Sequence, residues 1–332
     1  MATYELLSSD PLSERARKLV EIVFTGAEVP PEYVAAAIAN VGRALEIYAG
    51  NDARLAPRSP GIVEAVDPGD WARHRFGLSP ERWRALAGKA YWITGAGTGY
   101  GRAVAIALGV AGARLALTGR RARQLEAVAA EIRQSNAAAE IIALPMDVTD
   151  AAAATAGVAR LRQRFGELEG LVCCAALPGN PGPVLGMAEA DLRRVLDVNV
   201  LGQMVPCRAA LPSMLACGRG RVLLYSSECA WGFPPGLGVY DVTKAAVNGL
   251  GAALANEVAA MAPNADVQVN VVDPGQARTE MNQVSPESPF SVCSITLTLL
   301  AQAPNGPSGR FFHRDGRHLS YGYAQPWPRP LG

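Results

Sequence analysis

Apolar residues recur along the start of the chain at helical spacing. Leu12, Ala16, Leu19 and Val23 form one such series, and Val34, Ile38, Val41, Leu45 and Tyr48 form a second. Each series places an apolar stripe on one side of a helix. Pro30 and Pro31 suit the entry to the second helix, and Gly50-Asn51 suits its exit. Residues 51–70, rich in Pro, Gly and Asp, predict a connecting loop, and Ser79-Pro80 predicts the cap and first turn of a short helix through Leu86. From Ala90 the pattern changes. Short apolar runs (Ala90–Thr94, Arg114–Thr118, Ile141–Leu144, Gly170–Ala175, Arg221–Ser226, Val267–Val272) alternate with longer helical patterns (Gly101–Ala113, Arg121–Gln134, Ala151–Phe165, Glu189–Ala216, Tyr240–Met261). Strands apolar on both faces and separated by helices predict an α/β fold, a doubly wound parallel sheet of Rossmann type flanked by helices on both faces. A helical stretch from Phe290 to Ala303 and a last strand at Gly309–Phe312 close the pattern.

Composition narrows the class. Of the 332 residues, 49% are hydrophobic and 18% charged, which excludes a disordered chain. A net charge of +1 excludes a protein that binds nucleic acid by neutralising phosphates. The 6 cysteines include no C-x-x-C pair and have apolar flanks, so buried thiols are expected rather than disulfides. None of the 3 histidines stands at metal-ligand spacing, so no metal is expected, and His313 and His318 read as surface residues. The polar, acidic start lacks the pattern of a signal peptide, and no apolar run reaches the ~18–20 residues of a membrane span. A reduced, soluble, cytoplasmic protein is the expectation.

The segment Thr94-Gly95-Ala96-Gly97-Thr98-Gly99-Tyr100-Gly101 follows the first strand and opens a helix. Gly95 permits a tight turn, Gly99 lets backbone approach a pyrophosphate, and Gly101 lets the helix sit close to the sheet, with free N–H groups facing the anion. An ordinary strand-to-helix loop is the alternative. The second strand ends Gly119-Arg120-Arg121 without an acid. Guanidinium groups suit a 2′-phosphate, so NADP(H) is favoured over NAD(H), unless the two arginines merely start a solvated helix. Asp147-Val148 ends the third strand, where the aspartate could accept from an adenine amino group.

Tyr240 and Lys244 stand one helical turn apart, on one face. A phenol with its usual pKa of ~10 carries protons poorly at neutral pH, and a neighbouring ammonium favours the phenolate. Ser227 ends the fifth strand and can converge with a helix-start tyrosine over the carboxyl edge of the sheet. Asn199, inside a long helical stretch, invites a reason: a kink, a satisfied buried amide or a role in the site.

With these residues assembled, the chain from Ala90 to Arg317 resembles the short-chain dehydrogenase/reductase family in its single-domain branch. The resemblance rests on Thr94-Gly95-x-x-x-Gly99-x-Gly101, Asp147, Asn199, Ser227, Tyr240-x-x-x-Lys244 and Pro274-Gly275 with Thr279, in family order. It implies an NADP(H)-dependent oxidoreductase that interconverts a ketone and a secondary alcohol. Tyr240 would be the general acid/base, Ser227 would hold the substrate oxygen, and Lys244 would bind the nicotinamide ribose. Asn199 would hold a water that links Lys244 to solvent. Pro274-Gly275, Thr279 and Ala175 would border the cofactor. It also implies a homodimer or homotetramer. The expected division is 1–88 as a helical extension, 89–318 as the catalytic domain and 319–332 as a tail, with the extension favoured as a subunit contact.

One departure matters. Cys173-Cys174-Ala175-Ala176 stands where the family usually has Asn-Asn-Ala-Gly, so the amide that ties the central strands is missing, and the thiols are either buried or a redox pair. Trp231, Phe233, Pro234, Pro235, Leu237 and Met281 predict an apolar substrate pocket, with Gln276–Ser288 as a lid. Two other readings stay open: an NADP(H)-sensing regulatory or scaffold protein, and a sugar- or nucleotide-sugar-modifying enzyme.

Overall fold

The computed structural model describes residues 11–24, 30–39, 41–42 and 75–319. The apolar runs become β1 (Ala90–Thr94), β2 (Arg114–Gly119), β3 (Ile141–Pro145), β4 (Leu168–Cys173), β5 (Arg219–Tyr225), β6 (Asp266–Asp273) and β7 (Arg310–His313), followed by a short β8 (His318–Leu319). They form one 8-stranded sheet in the order β3-β2-β1-β4-β5-β6-β7-β8. Every pair is parallel except β7 with β8. This is the Rossmann-type sheet expected. Strand order reverses between β1 and β4, which opens a crevice at their carboxyl ends.

Alternation along β1 shows why the sheet carries helices on both faces. Tyr91 and Ile93 pack in one core with Leu115, Leu117 and the helices α3 (Gly99–Val110), α4 (Ala122–Ser135) and α10 (Cys293–Leu300). Ala90 and Trp92 pack in the other with Leu171, Val222 and the helices α5 (Ala151–Phe165), α7 (Gly202–Cys217) and α9 (Val239–Met261). Ser79 caps the short helix Pro80–Arg84, its Oγ accepting from Arg82 N at 3.3 Å.

Several sequence expectations shift. β4 begins at Leu168, because Lys89 (2.7 Å) and Arg219 (3.1 Å) neutralise the Glu169 carboxylate within the strand. The run Glu189–Ala216 is two helices, α6 (Glu189–Leu196) and α7, joined by a π turn over Asp197–Leu201. By length and composition the 29 residues Glu189–Cys217 could cross a membrane, contrary to the expectation of no such stretch. In this fold Cys207, Ala210 and Met214 of that segment are buried in the core beside β4 and β5. His313 is a correction: it lies buried on β7, 3.0 Å from Asp315, while His318 is exposed.

Among the first 88 residues, Ala16 and Leu19 of α1 (Leu12–Phe24) are buried beside Ile38 and Val41, so the two predicted stripes face one another. α1 also touches the turn Val184–Gly186. Leu45, Tyr48, the loop 51–70 and the tail beyond 319 lie outside the described residues.

α9 can approach the sheet because Gly251 carries no side chain. A Cβ there would stand 2.3 Å from Val271 Cγ2, whereas Gly249 faces open space. Gly251→Val is therefore expected to cost about 1–3 kcal/mol by overpacking. Gly249→Ala should gain about 0.5–1 kcal/mol of helix propensity. Urea unfolding midpoints of the two variants check both signs.

Candidate active site

The loop between β1 and α3 depends on its glycines. Gly95 and Gly99 have positive φ (65° and 54°). A Cβ on Gly95 would lie 2.7 Å from Ala175 N, and one on Gly101 would lie 2.3 Å from Gly95 O. Thr98 precedes α3 without a side-chain capping bond, so the first-turn N–H groups face the crevice unsatisfied by that side chain. The crevice is a cleft of about 470 Å³ running from this turn across the ends of β2, β3 and β4 to α9. Of the residues expected to border a cofactor, all but Thr94, Asn199 and Gly275 line it.

Those three stand away from the cleft wall for physical reasons. Thr94 is buried in β1, and its hydroxyl accepts from Ala175 N at 3.4 Å, shaping the floor beneath the cleft. The Asn199 amide is committed elsewhere: Oδ1 accepts from Leu177 N (2.7 Å), while Nδ2 donates to Leu177 O (2.9 Å) and Thr243 Oγ1 (3.0 Å). It braces the loop after β4 against α9 from within the π turn. Gly275 borders a neighbouring cavity, where Tyr100 Oη donates to its carbonyl at 2.8 Å.

Lys244 and Tyr240 share the first turns of α9. Lys244 is 2% exposed, and its Nζ donates to the Tyr225 carbonyl at 2.9 Å, 5.5 Å from the centre of the Tyr240 ring. Burial pushes the ammonium down to about 8, against the opposing pull of Cys174, Cys229 and Asp273. Gln203, fully buried on α7, donates to the same carbonyl at 3.0 Å. It supplies an amide link between helix and β5, next to the cysteines that lack one. Burial pushes both the Cys173 and Cys174 thiols above their ordinary range, which disfavours a redox pair.

At the end of the cleft beside β3, Asp147 is held below the usual carboxylate range, first by the Thr149 N–H and then by its hydroxyl. Arg121 pairs with Glu280 at 2.7 Å, and Gln124 donates to the same carboxylate at 3.3 Å. Glu280 belongs to the expected lid, which has no helix and is tied internally, for instance by Arg278 N to Glu287 O at 2.8 Å. Thr279 anchors that loop, its Oγ1 accepting from Met281 N and Asn282 N.

The neighbouring cavity, about 170 Å³, is lined by Ser227, Tyr240, Pro234, Pro235, Leu237 and Met281, among others. Trp231 and Phe233 do not line it. Trp231 is buried and donates its Nε1 to Asp273 at 3.2 Å, while Phe233 adopts φ 45° and is half exposed. Glu228, Gln276 and Asn282 also line it; sequence reasoning missed Glu228 and placed the other two only in the lid. Glu228 adjoins Ser227, so adjacency to the motif was the available signal.

A family model described as short chain dehydrogenase matches residues 89–289, more than half of the chain. The 2-keto-3-deoxy-L-fuconate dehydrogenase of Xanthomonas campestris pv. campestris is 40% identical over 196 residues, 58% of this chain and 60% of that protein. The sulfoacetaldehyde reductase of Chromohalobacter salexigens is 34% identical over 194 residues, 58% of this chain and 74% of that protein. The crystal structure of a dehydrogenase/reductase from Sinorhizobium meliloti 1021 is similar with a TM-score of 0.62 at 28% identity, covering 70% of this chain and 96% of that one.

Asp241, beside the site, is buried, with an unpartnered Oδ1 and a bond from the Cys229 thiol. Burial pushes its carboxyl up to about 8. A raised folded-state pKa means the folded form holds the proton more tightly, so the destabilisation is absent below pH ~4 and complete above about 8. Asp241→Asn should raise the melting temperature more at pH 9 than at pH 5, measured by thermal unfolding at both.

Proposed function

The chain belongs to the short-chain dehydrogenase family, and on that premise we propose that it interconverts a ketone and a secondary alcohol by hydride transfer with NADP(H), Tyr240 acting as general acid/base. The observation that carries this reading is the pairing of Tyr240 with a buried Lys244 ammonium, beside Ser227, on a cleft that opens onto the glycine turn. The glycine turn, whose first-turn N–H groups are left without a side-chain cap at the cleft, supports a dinucleotide there. Bound there, a nicotinamide dinucleotide supplies or takes the hydride at the substrate carbon.

In reduction, Tyr240 Oη gives its proton to the carbonyl oxygen as that oxygen gains charge. Ser227 donates a hydrogen bond to the same oxygen. The Lys244 cation stabilises the phenolate left behind. In oxidation Tyr240 takes the alcohol proton instead. Asn199 acts by holding the loop after β4, and a proton path to solvent past the π turn is part of the same reading.

Arg120 and Arg121, with no acid at the end of β2, support a 2′-phosphate and hence NADP(H). Arg121 already has a partner in Glu280, but both side chains are more than half exposed, and such a pair contributes only about 0–1 kcal/mol. A phosphate can displace it. Residues 89–318 form the catalytic domain in this reading, the extension serves subunit contact in a homodimer or homotetramer, and the substrate is a small molecule. The polar groups Glu228, Gln276 and Asn282 favour a second reading for the substrate, a sugar-like carbonyl in place of a wholly apolar ketone.

Tyr240→Phe is expected to lower kcat by about 10²–10⁴ while leaving the NADPH dissociation constant unchanged. Nicotinamide absorbance follows the first and titration calorimetry the second; undiminished turnover would remove Tyr240 from the chemistry. Arg121→Ala should weaken NADPH binding roughly tenfold or more with little change for NADH. Glu280→Gln should strengthen NADPH binding. Calorimetry with both dinucleotides reads each shift.

A further inference from the structure

The loop after β6 borders both the cleft and the smaller cavity, yet the side chain that fixes this loop to the fold lines neither space. Arg314 follows β7, whose last residue His313 lies in register with Asp273 at the end of β6. That register sets Arg314 beside the start of the loop: a Cβ on Gly275, which has φ 63°, would stand 2.9 Å from Arg314 Nε. Arg314 is 7% exposed, and its Nη1 donates to the Gln276 carbonyl at 3.0 Å. At the far end of the loop the same guanidinium pairs with the Glu287 carboxylate and donates to Ser291 Oγ at 3.2 Å. The adjacent Asp315 pairs with Arg317 at 2.6 Å instead. Arg278 N donates to the Glu287 carbonyl at 2.8 Å, which closes the neck of the loop as in an Ω-loop. Beyond the neck, Phe290 stacks on the buried Phe76 with ring centres 6.3 Å apart.

Both sides of the neck are therefore tied to β7 through one buried guanidinium. Its planar fork offers donors in several fixed directions, where an ammonium is a single point charge. Between the tied ends, Thr279 and Met281 line both spaces, and Asn282 and Val284 line the cavity. A loop already held in its binding shape spares a ligand the entropy of ordering it; an untied loop is ordered anew by each ligand that touches it. We propose that Arg314 is a positioning residue for this site: it preorganises the loop for cofactor and substrate alike without lining either space. This rests on the hydride-transfer reading above and deepens it. Ser227, Tyr240 and Lys244 stand at the end of β5 and on α9, outside the tied loop, so loss of the tie weakens binding and spares the chemical step.

Arg314→Ala in the full-length chain tests this with NADPH, NADH and butanone as probes. By calorimetry both dinucleotides should bind about tenfold more weakly and by the same factor, unlike the selective loss expected of Arg121→Ala. KM for butanone at saturating NADPH should rise about tenfold, with kcat within about threefold of the wild type. Hydrogen exchange should quicken about tenfold or more at the hydrogen-bonded amides of Arg278, Thr279 and Asn282, and keep the wild-type rate in β6 and α9. Exchange that quickens alike through the whole chain, a loop and affinities that stay as in the wild type, or a fall in kcat with KM unmoved would each overturn the proposal. Arg314→Lys supplies a cation without the fork and should recover only part of the affinity; full recovery overturns the proposal as well. If Arg314→Ala does not fold, Glu287→Gln, at a partly exposed side chain, loosens the same tie and should raise both dissociation constants about threefold; unchanged constants sink the proposal. If the wild type does not reduce butanone, the hydride-transfer reading fails for that ketone, and loop exchange with the two dinucleotide affinities decides the role of Arg314 by itself.

Discussion

The carbonyl of Tyr225, at the carboxyl end of β5, accepts from two fully buried side chains: Lys244 Nζ on α9 and Gln203 Nε2 on α7. Buried donors of this kind are costly when unpaired, so the carbonyl holds both helices in register with the strand that ends in Ser227. Ser226 repeats the connection, its Oγ donating to the Lys244 carbonyl at 3.1 Å. Serine, tyrosine and lysine thereby converge, although they come from three places on two elements. The same arrangement keeps an ammonium in a site where burial pushes it toward neutrality, close to the phenol whose charge it would balance.

A second set of contacts joins the two halves of the cleft. Asp273, fully buried at the end of β6, accepts from Gly275 N at 2.9 Å and from the Trp231 indole. Tyr100, in the first turn of α3, donates to the Gly275 carbonyl. The glycine turn and the loop after β6 are therefore mechanically linked. That loop carries Gln276 toward Glu228, Thr279 against Gly99, and Glu280 to Arg121. The cleft and the neighbouring cavity share one segment, so a change at either is felt along it.

The two spaces also differ in their charged residues. The larger cleft is bordered by Arg120, Arg121 and Lys244 together with Asp147 and Glu280, and the smaller cavity by Glu228.

How much of this could be read from the sequence follows from the range of each interaction. Short continuous apolar runs and period-three-to-four patterns report local burial, so the strands, most helices and the parallel sheet were legible, as were the glycine turn and the spacing of Tyr240 with Lys244. Local signals ended at the π turn: Asn199 stood out as an unusual helix residue, but its bonds to Leu177 and Thr243 depend on a loop and a helix distant in the chain. Trp231 and Phe233 looked like pocket walls because they are large and apolar, whereas the tertiary structure gave the indole a partner in Asp273 and turned Phe233 outward. His313 looked like a surface residue until β7 carried it inside. Sequence by itself determined which segments bury an apolar face and which backbone positions can bear no side chain, because those are local properties. Only the tertiary structure decided where Glu228, Gln276 and Glu280 stand, because the direction of a polar side chain is set by a partner that the chain brings from elsewhere.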